Sequence, residues 1–356
     1  MSISDLRAEF PVLERFAFLN AGTCGPLPRA AAHASSEMLE SATAEGRATA
    51  YFQLMLDLRD KLRAGYAGLL NADADDVALT SCTSEGVARV LAGLELNEGD
   101  EILTATGEHP GLSGPLAALR RERGVRVRAV ALAQIVDAVS PATRLVACSH
   151  VSWIDGSRVP DLRELDVPVL LDGAQGVGAV GIDVETLGCT FYAGSGQKWL
   201  CGPVGTGMLW VAPAWSEQLV ALGPTYLNLD NPNAGLDAVP KPTAARHDAS
   251  AQNPEAAALA VASLGVLAQH GWDAVHDRAA TLAATLAESL TQRGMTVAPR
   301  DRTTLVSWQD SDPIATRGRL AESGVVIRDL PGTGLLRASV GAWNDESDLE
   351  RLLSAL

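Results

Sequence analysis

From Val77 to Val211 the chain alternates short apolar runs with helical patterns, and no other feature restricts its fold as much. This alternation is the signature of strand-helix-strand units and a mainly parallel sheet. The runs Val77–Thr80, Glu101–Thr104, Arg126–Val130, Leu145–Ser149, Val167–Leu171, Thr190–Ala193 and Thr206–Val211 predict seven strands. The preceding segment, Arg29 to Leu70, reads as helical, and Pro26 and Pro28 close the loop before it. Beyond Val211 a loop rich in Pro, Asn and Gly, Leu222 to Pro242, leads to a long alanine-rich helical pattern from Pro254 to Arg293. Apolar runs at Thr304–Trp308, Val325–Arg328 and Leu335–Val340 and a final helix from Asp345 to Leu356 predict a second, smaller α/β layer.

An apolar fraction of 47% over 356 residues is enough for a sizeable core. The formal charge of −15 opposes binding to nucleic acid or anionic membranes. The densest basic run, Arg120 to Arg128, is interrupted by Glu122 and Gly124 and reads as a helix end turning into a strand. Cys24, Cys82, Cys148, Cys189 and Cys201 are scattered and odd in number, which argues against a disulfide framework or a metal site. The opening Met-Ser-Ile-Ser-Asp-Leu-Arg lacks the order of a secretion signal, and no apolar stretch is long enough to span a bilayer. The cytoplasm is therefore the expected location.

Lysine occurs only at Lys61, Lys198 and Lys241. Lys198 follows an apolar strand in the turn Gly194-Ser195-Gly196-Gln197-Lys198-Trp199, and an amine can lose a proton and form an imine where a guanidinium cannot. Three further signals fall at the carboxyl ends of predicted strands, where open α/β sheets place ligands. Thr80-Ser81-Cys82-Thr83-Ser84-Glu85-Gly86 is a hydroxyl-rich strand-to-helix turn that suits either a phosphate or an ordinary helix cap. Val169-Leu170-Leu171-Asp172-Gly173-Ala174-Gln175 ends a strand in a carboxylate that could hold a protonated ring nitrogen or simply cap a turn. Glu108-His109-Pro110 offers a histidine that could lie over an aromatic cofactor or serve structurally. The glycines of Gly202-Pro203-Val204-Gly205-Thr206-Gly207 precede a strand instead of opening a helix, so they do not form a dinucleotide loop.

In this order, these motifs resemble the class V aminotransferase family of fold-type I pyridoxal phosphate enzymes. The segment Phe18-Leu19-Asn20-Ala21-Gly22-Thr23-Cys24-Gly25-Pro26-Leu27-Pro28 is similar to the branch holding isopenicillin N epimerase-like proteins, cysteine desulfurases and cystine C-S lyases. The resemblance implies Lys198 as the Schiff-base lysine, Asp172 at the pyridine nitrogen, Gln175 at the ring hydroxyl and His109 over the ring face. It implies Thr83, Ser84, Ser195 and Gln197 at the phosphate, Arg337 at the substrate carboxylate, and Asn20 and Trp153 as substrate contacts. It further implies a homodimer and three regions: an active-site segment at 1–28, a large domain at 29–245 and a small domain at 246–356. Two departures stand out. Trp153 replaces the asparagine usual in the loop after the fourth strand. Arg246-His247-Asp248-Ala249-Ser250-Ala251 lacks the threonine hydroxyl that family dimers lend to the neighbouring phosphate, leaving Ser250 nearby.

Desulfurases carry a mobile cysteine shortly before the carboxylate-binding arginine, and Val326 to Leu336 has none. Cys201 reads as a packing residue, whereas Cys24 lies in the segment that can line the pocket. The resemblance therefore favours β-elimination from a cysteine-derived amino acid. Epimerisation or transamination, and a non-catalytic binding homologue, are the alternatives.

Overall fold

A computed structural model describes residues 3–356, with side chains from Asp5 onward; Met1 and Ser2 of the amino-terminal segment lie outside the described residues. In chain order the structure runs β1 (Ala17–Phe18), α1 (Arg29–Glu45), α2 (Thr49–Leu70), β2 (Val77–Thr80), α3 (Thr83–Gly93), β3 (Glu101–Ala105), α4 (Pro110–Glu122), β4 (Arg126–Val130), β5 (Thr143–Ser149), β6 (Val169–Asp172), β7 (Phe191–Ser195) and β8 (Gly207–Val211). It continues with α5 (Pro254–Ala268), α6 (Trp272–Gln292), β9 (Leu305–Gln309), α7 (Pro313–Glu322), β10 (Val325–Val326), β11 (Arg328–Leu330), β12 (Leu335–Ser339) and α8 (Glu346–Ala355).

The seven expected strands form one sheet in the order β2-β8-β7-β6-β5-β3-β4. β8 runs antiparallel to both β2 and β7, and the remaining pairs are parallel. Its central strands are buried along their whole length because both faces are covered. Leu79, Val146, Leu171 and Tyr192 enter the core on one face, and Ala78, Leu145, Leu170 and Phe191 enter the core on the other. The strand side-chain period of two thus supplies both cores from the same strands.

The helical pattern over Pro254–Arg293 is two helices, not one. Gly271, at φ 78°, breaks it between α5 and α6, a conformation that a residue with a β-carbon rarely adopts. α5 packs against α1 and α2, and its Ala260 and Leu264 join the core of the large sheet. α6 instead packs over the small sheet, with Leu282, Leu286 and Leu290 against Val306 and Trp308. The change of layer therefore falls at 269–271. The small sheet has the order β11-β12-β9 and is antiparallel, while β1 pairs with β10. Arg7 returns the amino-terminal segment to the start of α8, bonding Asp348 at 2.6 Å and Asp345 at 3.1 Å.

Candidate active site

The sheet topology gathers the residues singled out by sequence. Asp172 ends β6, in register with Ser149 of β5 and Ala193 of β7. It is 5% exposed, and its Oδ1 accepts the N–H of Ala174 at 2.9 Å. Lys198 follows β7 in a turn closed by Cys201 N–H to Lys198 O (3.1 Å) and Gly202 N–H to Gly196 O (2.9 Å). Burial lowers the lysine amine to about 8; the charge of Asp172 opposes this, and Arg337 and Arg328 add to it. About a tenth of an amine with that pKa is unprotonated at pH 7.

Thr83 opens α3, whose N-cap Cys82 makes no side-chain capping bond. Ser195, at the end of β7, meets it there: Ser195 Oγ accepts the Thr83 N–H at 2.9 Å and lies 2.6 Å from Thr83 Oγ1. Two hydroxyls and a helix N-terminus thus converge, an arrangement suited to an anion. Ser84 reaches the neighbouring turn, where a β-carbon on Gly111 would stand 2.3 Å from its Oγ. Gln197 holds a buried Oε1 with no partner, and its carbonyl accepts the Gly25 N–H at 2.8 Å.

His109 is the N-cap of α4, and its Nδ1 accepts the Gly111 N–H at 3.0 Å. One ring nitrogen is therefore committed to the helix, which leaves the ring face and Nε2 for other work. Burial and the cationic Lys198 lower its pKa and favour the neutral ring. Gln175 is also engaged: Nε2 donates to Gly22 O at 2.9 Å, and Oε1 accepts from Trp199 Nε1 at 3.0 Å. One Nε2 hydrogen remains for a ligand.

Arg337 is fully buried in the middle of β12. Its Nη1 donates to Trp153 O at 2.6 Å, while Nε and Nη2 have no partner. Burial, followed by the charge of Arg328, lowers it to about 9. The turn at Asn20 closes over it. Asn20 bridges to Ser339, Asn20 Oδ1 accepts from Thr23 Oγ1 at 2.9 Å, and a β-carbon at Gly22 would lie 2.9 Å from Arg337 Nη2. Glycine at position 22 is what permits that approach. Trp153 packs edge-on to His109, with ring centroids 5.3 Å apart, and its Nε1 donates to Gly107 O at 2.8 Å.

Two site residues were not singled out from the sequence. Arg328 lies directly opposite Arg337 in the β11–β12 pair, and its guanidinium stands over the Trp153 ring at 5.9 Å. The turn Pro331-Gly332-Thr333-Gly334 between two arginine-bearing apolar runs was the available signal, since a hairpin there brings the two arginines together. Glu108, the residue before His109, accepts hydrogen bonds from the Ser149 N–H (2.8 Å) and Ser149 hydroxyl. Burial raises it to about 7, and nearby Asp172 adds to the rise. Ser250 is exposed and touches Arg59 only through its carbonyl. Cys201 is buried in the core, consistent with packing. Among the described residues no group of three or more His, Cys, Asp or Glu is placed to hold a metal ion.

A probable cysteine desulfurase from Methanothermobacter thermautotrophicus is 33% identical over 261 residues, 67% of this chain and 64% of that protein. An isopenicillin N epimerase from Streptomyces clavuligerus is 30% identical over 56% of this chain and 54% of that protein. The chain thus spans somewhat over half the length of these two curated relatives. Among solved structures, a C-DES mutant with glycine covalently linked to its PLP cofactor superposes with a TM-score of 0.89 at 26% identity, covering 98% of both chains. C-DES, described as a cystine C-S lyase, in complex with its product cysteine persulfide gives 0.88 at 26% identity, over 97% of this chain and 98% of that one. The family model for class-V aminotransferases matches residues 17–352, and the chain belongs to that family.

Proposed function

We propose that this chain is a pyridoxal phosphate-dependent lyase that removes sulfur by β-elimination from an amino acid derived from cysteine. The site fits the cofactor on its own terms. A lysine amine of lowered pKa that feels the charge of a buried carboxylate, a hydroxyl-lined helix N-terminus and the unpartnered Gln197 Oε1 are the groups available to it. When bound, the cofactor supplies a sink for the electron pair left at Cα. Asp172 is the carboxylate available to keep the heterocyclic nitrogen protonated, and Gln175 has one N–H left for a ring oxygen. Thr83, Ser84, Ser195 and Gln197 are assigned to the phosphate, and His109 offers its ring face. Lys198 holds the cofactor and then carries the α proton on its Nζ, a task suited to an amine titrating near 8.

The observation that carries the substrate class is the pair of guanidiniums. Arg337 has two unpartnered buried nitrogens, and Arg328 lies opposite it in the sheet with an aromatic ring and Thr23 Oγ1 (3.5 Å) as neighbours. Two such cations suit a substrate with two carboxylates, as in cystine. Asn20 and Trp153 are assigned to the same substrate. Proton NMR in heavy water with L-cystine is expected to show pyruvate. Exchange at Cα without pyruvate would replace the lyase reading with epimerisation or transamination, toward which the epimerase relative points.

We further propose a homodimer in the cytoplasm, with a small domain that follows an active-site segment and a large domain. The five cysteines are free thiols, which fits a reducing compartment.

A further inference from the structure

Along β12 and the residue after it the side chains alternate. Leu336, Ala338 and Val340 enter the core of the small layer, so Arg337 and Ser339 leave by the opposite face. Both are fully buried. Their partners across the pairing with β9 are Ser307 and Leu305. Leu305 packs among apolar side chains, and the Ser307 hydroxyl donates to Ile154 O. Ser339 donates its N–H to Leu19 O at 2.7 Å, yet its hydroxyl has no partner among the described residues.

An unpartnered buried hydroxyl lowers the stability of a folded chain, and alanine would hold the position without that loss. The surroundings of Ser339 give the hydroxyl a use. Its Oγ lies 2.7 Å from the point that a β-carbon on Gly22 would occupy, and Arg337 Nη2, also buried and unpartnered, lies 2.9 Å from the same point. Gln175 Oε1, at 3.0 Å from it, already accepts from Trp199. Two free donors on one strand face therefore meet beneath the turn from Asn20 to Gly25, which is bridged to Ser339 at Asn20. A guanidinium can only donate, and the hydroxyl adds one hydrogen beside it. The pair matches a group with two acceptor oxygens and a negative charge, a carboxylate.

From this arrangement we propose that Ser339 binds the substrate carboxylate together with Arg337, its hydroxyl donating to one oxygen while the guanidinium holds the other. The inference rests on the reading of Arg337 as the carboxylate grip and is independent of whether the reaction is β-elimination. A carboxylate is present before, during and after the chemistry at Cα. The Ser339 contact is therefore equal in ground state and transition state, and its loss belongs in KM and not in kcat.

The test compares wild type with Ser339→Ala as cofactor-loaded protein. Three ligands are used: L-cystine, followed by turnover; dithiodipropionate, which is cystine without its amino groups, followed by calorimetry; and cystamine, which is cystine without its carboxylates, followed by cofactor absorbance. In Ser339→Ala the KM for cystine and the Kd for dithiodipropionate should rise about tenfold or more, with kcat and the affinity for cystamine unchanged. The urea midpoint of the ligand-free variant should equal or exceed that of wild type, because an unpartnered hydroxyl has gone. Thr304→Val is the control. It too removes a buried, unpartnered hydroxyl, two residues before Val306 of the small-layer core, and should leave both carboxylate ligands unaffected. An unchanged Kd for dithiodipropionate in Ser339→Ala would overturn the proposal. So would an equal loss on cystamine or a lowered urea midpoint, either of which would make Ser339 a structural residue. Wild type that binds dithiodipropionate but releases no pyruvate from cystine would remove the lyase reading and leave the Ser339 comparison decisive. Dithiodipropionate binding unaltered by Arg337→Ala would remove the carboxylate grip itself, and Ser339 with it.

Discussion

Replacing Glu108 by glutamine is expected to remove a pH-dependent loss of stability that the wild-type chain carries. Two influences oppose each other at this carboxyl. The Ser149 N–H and hydroxyl favour its ionised form, whereas burial and the nearby charge of Asp172 favour the neutral form and prevail, raising its pKa from 4.5 to about 7. The groups that act on its ionisation are Ser149, Asp172 and the His109 backbone, and Arg120, which lines the same cavity, does not offset them. Between pH 4.5 and about 7 the folded chain therefore holds a proton that the unfolded chain has released, so stability falls as pH rises through that window. At about 1.4 kcal/mol per pH unit the loss is at most about 3.5 kcal/mol. A cavity of about 430 Å³, lined by Glu108, Thr104, Ser113 and Arg120, opens beside the carboxyl and gives the proton a route to solvent. Glutamine reproduces the protonated form, because its oxygen can accept the Ser149 N–H while its amide donates to the hydroxyl. Urea unfolding of the cofactor-free chains at several pH values should show wild type and E108Q similar near pH 4, with wild type falling behind as pH rises. Parallel profiles, or a wild type that gains on E108Q with rising pH, would refute the reasoning and mean that the Ser149 hydrogen bonds outweigh burial.

Lys198→Ala should abolish covalent capture of pyridoxal phosphate, seen as loss of its lysine-bound absorbance, and lower turnover by about 10³-fold or more. In the wild type the rate of capture should rise with pH and level off above about 8, because only the neutral amine reacts; a plateau near the ordinary lysine value of 10.5 would contradict the desolvation at this position. Arg337→Ala should reduce kcat/KM for cystine about 30-fold or more, the cost of losing a buried charge-assisted contact. Arg328→Ala should weaken cystine more than a cysteine conjugate with a single carboxylate, and equal losses on both would argue against a second carboxylate site.

The large sheet was legible in the sequence because its strands are buried on both faces. Runs such as Val169–Leu171 are uninterrupted apolar stretches, and the glycines and hydroxyls after them mark their ends. Strand ends shifted by a residue or two; β6 and β7, for instance, reach Asp172 and Ser195. The break at Gly271 was harder to see. Alanine-rich sequence on both sides favours helix, so one glycine gives little warning when tertiary packing, with α5 on α1 and α2 and α6 on the small sheet, decides where the chain turns.

The site shows where local reading stops. Lys198, Asp172, Thr83 and Ser195 could be named because each sits at a strand end in a motif of its own, and topology then sets those ends side by side. Arg328 has no such motif. It matters because β11 and β12 pair in a register that sets it opposite Arg337, and a slip of one residue would turn its side chain to the other face of the sheet. Glu108 is concealed differently: its chemistry comes from burial, from Ser149 on β5, the strand next to β3 in the sheet, and from the charge of Asp172 at the end of β6, one strand further. Both belong to the site through long-range pairing rather than local sequence. The same holds for the turn from Asn20 to Gly25, which closes on the site because Gly22 and Gly25 let the backbone approach Arg337 and Lys198 more closely than any side chain at those positions would allow.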